Sequence, residues 1–185
     1  EEDKDNSDKI TFAVVGRPNV GKSTLVNAIL GEERVVVFDE AGTTRDSINI
    51  DFEHKEQTYT IIDTAGIRRK GRVQDKIEKF SVLKAIQSIT EAHVVVLVLD
   101  AHLDIAEQDA TIVGYALDAG KSVVVAINKW DHLTEEQRSE IKQDVKTKLH
   151  FLDFAKYSYI SALYGKGIGE SLDAIKSAYH SEFMK

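Results

Sequence analysis

Two unbroken apolar runs, "HVVVLVLDA" at 93–101 and "SVVVAINKWD" at 122–131, constrain the fold more than any other feature of this chain. Strands that are apolar on both sides are covered on both faces, which is the situation of parallel strands in an α/β sheet. Parallel neighbours need a crossover, and "AEQDATIVGYALDAG" between the runs supplies a helix that stops at Gly120. The remaining chain fits the same scheme. "KITFAVVG" predicts a strand ending in a glycine loop, and "KSTLVNAIL", from Lys22, a helix stopped by Gly31. "DSINIDFE" and "TYTIID" alternate apolar and polar residues around the polar turn "HKEQ", which predicts an antiparallel hairpin.

In "DKIEKFSVLKAIQSI", Ile77, Phe80, Leu83, Ile86 and Ile89 recur near the helical period and predict a helix with this stripe in the core. A capping-box pattern, Thr134 to Gln137, opens another helix carrying Ile141, Val145 and Leu149. "KYSYIS" is a last strand, and a helix from about 168 to 183 follows. Strand and helix alternating throughout predict an α/β fold, a mostly parallel doubly wound sheet with one antiparallel hairpin strand. Ligands in such sheets bind beyond the carboxyl ends of the strands.

Composition narrows the function. With 24 Lys and Arg against 31 Asp and Glu, the net charge of −7 argues against a whole-surface attraction to nucleic acid or anionic membrane. The absence of cysteine excludes disulfides and thiolate metal sites. No apolar run approaches the roughly 20 residues that span a bilayer, and "EEDKDNSD" is the opposite of a signal peptide. A cytoplasmic protein with no membrane partner is expected. The six histidines show no metal spacing and are expected at the surface or at edges.

"GRPNVGKS", residues 16–23, satisfies G-x-x-x-x-G-K-[ST] between a strand and a helix, the context that this pattern requires. Gly16, Arg17, Asn19, Val20 and Gly21 would wrap backbone N–H groups round nucleotide phosphates, with Pro18 stiffening the loop and the positive helix end, Ser23 and Thr24 behind them. Lys22 would reach the β- and γ-phosphates, and the Ser23 hydroxyl would hold Mg²⁺. Asp63 and Gly66, in "DTAG", add a carboxylate for Mg²⁺ and an N–H for the γ-phosphate. "AGTTRD" offers Thr43 and Thr44, one of which would complete the Mg²⁺ shell; the sequence does not choose between them.

"NKWD", Asn128 to Asp131, follows a buried strand. A carboxylate such as Asp131 accepts from both N1–H and the 2-amino group of guanine, a donor pair that adenine lacks. Asn128 would either tie loops together or reach N7, and the stem of Lys129 would cover the base. "SAL", Ser161, Ala162 and Leu163, would offer backbone N–H groups to the guanine carbonyl.

"GRPNVGKS", "GTTRD", "DTAG", "NKWD" and "SAL", in this order, resemble the nucleotide motifs of the Era-like P-loop GTPases over nearly the whole chain. "LGEERVVVFDEAGTTRDSI" and "DTAGIRRKGRV" look like the second GTPase domain of a ribosome-assembly branch that carries two. The resemblance implies a Mg²⁺-dependent GTPase switch in large-subunit biogenesis, with GTP and GDP as ligands and the large subunit or its rRNA as partner. It also implies an acidic linker remnant at 1–8, a GTPase domain at 9–185, and contact with other domains of a longer protein.

Ile67 stands where many GTPases carry a water-positioning glutamine. From the residues alone, Asn19 either braces the phosphate loop or ligates a cation. The resemblance favours the cation: related proteins with an apolar residue at that place use K⁺ held partly by this asparagine. Lys22, Asn19, Thr43, Thr44 and Gly66 are then the catalytic set. The basic run 68–72 is a solvated loop or a nucleotide-gated RNA contact. Open alternatives are a module that reads nucleotide state without hydrolysing, and the GTPase domain of another Era-like protein such as the tRNA-modification GTPase.

Overall fold

A computed structural model of the chain describes residues 9–38, 49–62, 82–152 and 155–183. Seven strands form one sheet: β1 (Ile10–Val15), β2 (Val35–Val37), β3 (Ile50–His54), β4 (Gln57–Ile62), β5 (Val94–Asp100), β6 (Ser122–Asn128) and β7 (Lys156–Tyr159). Their order across the sheet is β2-β3-β4-β1-β5-β6-β7. Among the described strands only the β2–β3 and β3–β4 pairings are antiparallel, so of these seven β3 alone runs against the rest. The five described helices are α1 (Lys22–Leu30), α2 (Val82–Glu91), α3 (Glu107–Asp118), α4 (Glu135–Lys148) and α5 (Ile168–Phe183).

The apolar runs sit where their composition requires. Every residue of β5 is buried, as are all of β6 but its first. Because successive side chains point to opposite faces, Val94, Val96 and Val98 join Phe12, Val14, Leu25 and Leu172 on one side of the sheet. Val95, Leu97 and Leu99 join Ala13, Val15, Ile112 and Val145 on the other. At about 1.5–3 kcal/mol for each large apolar side chain fully buried, these two layers are the main drive to fold. On the first side Phe12, Phe52 and Tyr59 form an aromatic trio, Phe52 stacked on Tyr59 at 5.1 Å and Phe12 edge-on to both.

Four points differ from expectation. The turn between β3 and β4 is only Lys55 and Glu56, both at positive φ, which suits a tight two-residue hairpin; His54, expected at a surface or edge, is 3% exposed. The apolar stripe reaches the core only at the end of α2: Ile89 is buried, whereas Leu83 is 69% exposed. Ile77 and Phe80 lie outside the described residues. Finally, β2 was not predicted. Its exposed Val36 and Val37 give no alternation to read, and it exists as a strand by pairing with β3.

β1 is the switch point of the sheet. The neighbour on one side, β4, and on the other, β5, are reached by connections that diverge, and this opens a crevice beyond the carboxyl end of β1. "GRPNVGKS" leaves β1 directly into that crevice.

Candidate nucleotide site

The phosphate loop is shaped by close backbone approach. A Cβ on Gly16 would lie 2.7 Å from the Val98 carbonyl, so only glycine lets the loop start against β5. Gly21, at φ +104°, caps α1, and a Cβ there would collide with Nδ2 of Asn128. The helix that follows has no acidic residue in its first turn. Its own first turn therefore does not neutralise the positive helix end, as an anion site needs. Lys22 Nζ donates to the Gly16 carbonyl at 2.7 Å, which folds the ammonium back over the loop. Asn19 is exposed at φ +67° on the outer rim.

One asparagine joins the phosphate loop to the base loop. Asn128 Nδ2 donates to the Val20 carbonyl at 2.9 Å, and its Oδ1 accepts the Ala162 N–H at 3.0 Å. With 3% exposure, Asn128 crosslinks three of the sequence motifs in a buried position where each bond is sheltered from water. The side chain thus ties loops together, one of the two roles open to it, and does so with one of its two Nδ2 hydrogens. Its bond to Ala162 also occupies one of the N–H groups expected to face a guanine carbonyl.

Asp131 is oriented from the same "SAL" segment. The Ser161 hydroxyl donates to Asp131 Oδ1 at 2.6 Å, and this bond is the main cause that holds the Asp131 carboxyl below the usual range. The group thus stays a double acceptor. Lys129, at φ +64°, reaches back so that Nζ sits 2.7 Å from Asp100 Oδ2. Trp130 is half-buried on Tyr159, with Arg138 and Lys142 over its ring. It packs beside the base loop.

Two functional contacts were missed by sequence reasoning. The Arg17 side chain leaves the phosphate loop and meets α3: Nη2 donates to the Asp104 carbonyl at 2.6 Å, and Nε lies 3.1 Å from Oδ2 of Asp109. Asp109 is fully buried. Burial raises its pKa, against the Ala106 N–H and the Arg17 charge, which lower it. The signal available was Asp109 three residues after Ala106, the acidic half of a helix-start box, but nothing in the sequence names its cation. Asp100 on Lys129 was missed for the same reason.

Thr43, Thr44, Asp63, Gly66, Ile67 and the basic run 68–72 lie outside the described residues. Of the four residues expected at Mg²⁺, Ser23 alone is placed, half-buried in the first turn of α1. That hydroxyl, beside Lys22 in a first helical turn that carries no acidic residue, fits a magnesium–phosphate group. No described helix is long and apolar enough to cross a membrane.

Three loops drawn together through one buried asparagine, at the switch point of a mostly parallel sheet, define a P-loop GTPase domain. Residues 11–129 match the family described as 50S ribosome-binding GTPase, and the chain belongs to that family. It is 59% identical over 185 residues to "GTPase Der" of Neisseria meningitidis serogroup A, covering 100% of this chain and 38% of the relative. The corresponding protein of Chromobacterium violaceum is 58% identical, with 100% and 39% covered. The chain thus spans well under half the length of these relatives. Among solved structures, Era in complex with MgGDPNP and a segment of 16S ribosomal RNA superposes with a TM-score of 0.65 at 26% identity, covering 92% of this chain and 57% of that one. Era of Aquifex aeolicus bound to GDP·AlF4⁻ gives 0.66 at 27%, with the same coverage.

Proposed function

We propose that this chain is the Mg²⁺-dependent, GTP-hydrolysing switch domain of a protein that acts in assembly of the large ribosomal subunit, and that K⁺ stimulates it. The observation that carries the reading is the Asn128 crosslink, which sets a phosphate-binding loop and a guanine-selective carboxylate at a fixed spacing. Residues 16–24 bind the phosphates through the backbone N–H groups of all but Pro18, the end of α1 and Lys22. Asp131, held ionised by Ser161, accepts from guanine N1–H and N2–H and rejects adenine. Lys129 shields the base, and Leu163 in "SAL" supplies the remaining N–H to the guanine carbonyl. Ser23 with Thr43 or Thr44 and Asp63 would hold the magnesium ion, and Asn19 the potassium ion; bound there, the two cations neutralise charge developing on the γ- and β-phosphate oxygens.

Lys22 adds its charge to the same oxygens, and the Gly66 N–H meets the γ-phosphate. With Ile67 at the place of a glutamine, the attacking water would be placed by backbone groups of the switch segments. The family's description as a 50S ribosome-binding GTPase supports the ribosomal role, which includes contact with the large subunit or its rRNA through the longer protein. Residues 9–185 act as the GTPase domain and 1–8 as an acidic linker to other domains.

Hydrolysis of GTP in KCl and in NaCl at equal ionic strength, with saturating Mg²⁺, tests this. Stimulation by K⁺ that disappears in Asn19→Ala is expected. Equal near-zero rates in both salts, with GDP bound tightly, would leave a nucleotide-reading module and sink the enzymatic reading.

A further inference from the structure

The segment from the end of β5 to the first turn of α3 is not part of any nucleotide motif, yet it holds a cation from each of two of them. Asp100, 6% exposed, divides its carboxylate: Oδ1 accepts the His102 N–H at 2.8 Å, which fixes the group's orientation, and Oδ2 takes Lys129 Nζ at 2.7 Å. Asp109 is arranged in the same way. Its Oδ2 accepts the Ala106 N–H at 2.9 Å and faces Arg17 Nε at 3.1 Å, while the Asp104 carbonyl between them takes Arg17 Nη2 at 2.6 Å.

Both carboxylates are therefore set by their own segment's backbone before they meet a loop. The segment is tied down in turn: Ala101 N–H donates to the Asn128 carbonyl, and Leu103 N–H to that of Asp100. Arg17 and Asp100 border one small cavity, so the two grips are neighbours in space. A buried carboxylate is costly unless paired, which favours keeping both cations engaged.

From this geometry we infer that residues 100–109 form a two-pronged clamp, with Asp109 and Asp104 on the phosphate loop through Arg17 and Asp100 on the base loop through Lys129, that sets the distance between the phosphate and guanine subsites. Asp100 and Asp109 are positioning residues: neither touches nucleotide, and each acts through a cation that belongs to a nucleotide loop. The Asn128 crosslink ties the loops to each other directly, and the clamp holds the cation that each loop projects. A ligand that reaches both subsites depends on their spacing, whereas one that relies on the base subsite and a single phosphate depends on it far less.

The inference rests on the proposed GTP site, and the test separates the two. Binding of GDP, GMP and ADP to the wild-type chain comes first: preference for GDP over ADP establishes the site, and its absence removes the site and the clamp together. Asp109→Asn, Asp100→Asn and the double variant are then titrated with GDP and GMP. Each single variant is expected to weaken GDP about tenfold or more and GMP less than about threefold. Because one short segment carries both prongs, the double variant should be no more than about twofold weaker than the worse single one, since coupled sites fail to add. Fully additive losses would mean two independent supports, and equal losses for GDP and GMP would mean general loosening; either overturns the clamp. Should Asp109→Asn fail to fold, Arg17→Lys, which keeps the charge while losing the planar fork that meets Asp104 and Asp109 together, carries the same comparison.

Discussion

Replacing Arg17 by methionine removes a charge from beside Asp109 while leaving an unbranched apolar chain in its place. Asp109 is 0% exposed, and among the described residues its Oδ1 has no hydrogen-bond partner. Only the Ala106 N–H then remains on Oδ2. The native state has two ways to accommodate this. Keeping the carboxylate charged costs about 3–5 kcal/mol, the usual loss when one partner of a buried pair is removed. Taking up a proton costs about 1.36 kcal/mol for each pH unit above the ordinary aspartate value of 3.8. That is about 4.4 kcal/mol at about pH 7 and about 1.6 kcal/mol at about pH 5.

The cheaper route governs, so Arg17→Met should lose about 3–4 kcal/mol near pH 7 and under about 2 kcal/mol near pH 5. These are upper limits, because burial already raises Asp109 with Arg17 in place. The sign follows from linkage: with the folded-state pKa raised, the native state binds more protons than the unfolded one, and stability falls as pH rises. Urea denaturation of both proteins, followed by circular dichroism at the two pH values, reads the difference. A loss that is the same at both pH values would refute the reasoning and leave ordinary packing as the cause. Arg17→Met with Asp109→Asn should recover most of the loss near pH 7 and be insensitive to pH.

Other consequences follow from single contacts. In Ser161→Ala the Asp131 carboxyl loses the bond that chiefly holds it low, so GDP affinity should begin to fall at a higher pH than in the wild type; coincident pH profiles from fluorescence titration would refute this. Gly21→Ala places a methyl against Asn128 at a positive φ, and should cost about 2–3 kcal/mol from backbone strain and the broken crosslink, seen as a lower melting temperature and lost GDP binding. His93 accepts the Thr11 N–H at 3.2 Å and lies against Tyr179 and Phe183; burial, then Lys121, lowers its pKa. The unfolded state therefore binds the proton first, and His93 contributes stability that is whole above the unfolded value of 6.5 and lost as pH falls through the folded one. His93→Gln should flatten the melting temperature between about pH 5 and pH 7.5, and an unchanged slope would exclude His93 as the source.

The sequence by itself determined the parts of this protein whose signal is local. Unbroken runs such as 94–100 can only be central parallel strands, the Thr134–Gln137 box appears as a pair of reciprocal bonds at the start of α4, and the phosphate loop announces itself because close backbone approach leaves glycine alone at Gly16 and Gly21. What only the tertiary structure decided is pairing across long stretches of chain. Periodicity could not show that Leu83 faces solvent, because the stripe does not say where the sheet ends. It could not show β2, which is a strand only through its partner β3. Nor could it show that Asn128 would reach Val20, or that Arg17 and Lys129 would each find a buried carboxylate on residues 100–109. A carboxylate's residue type fixes its charge, but which cation neutralises it depends on which loops the sheet order brings together, and that is a property of the whole fold.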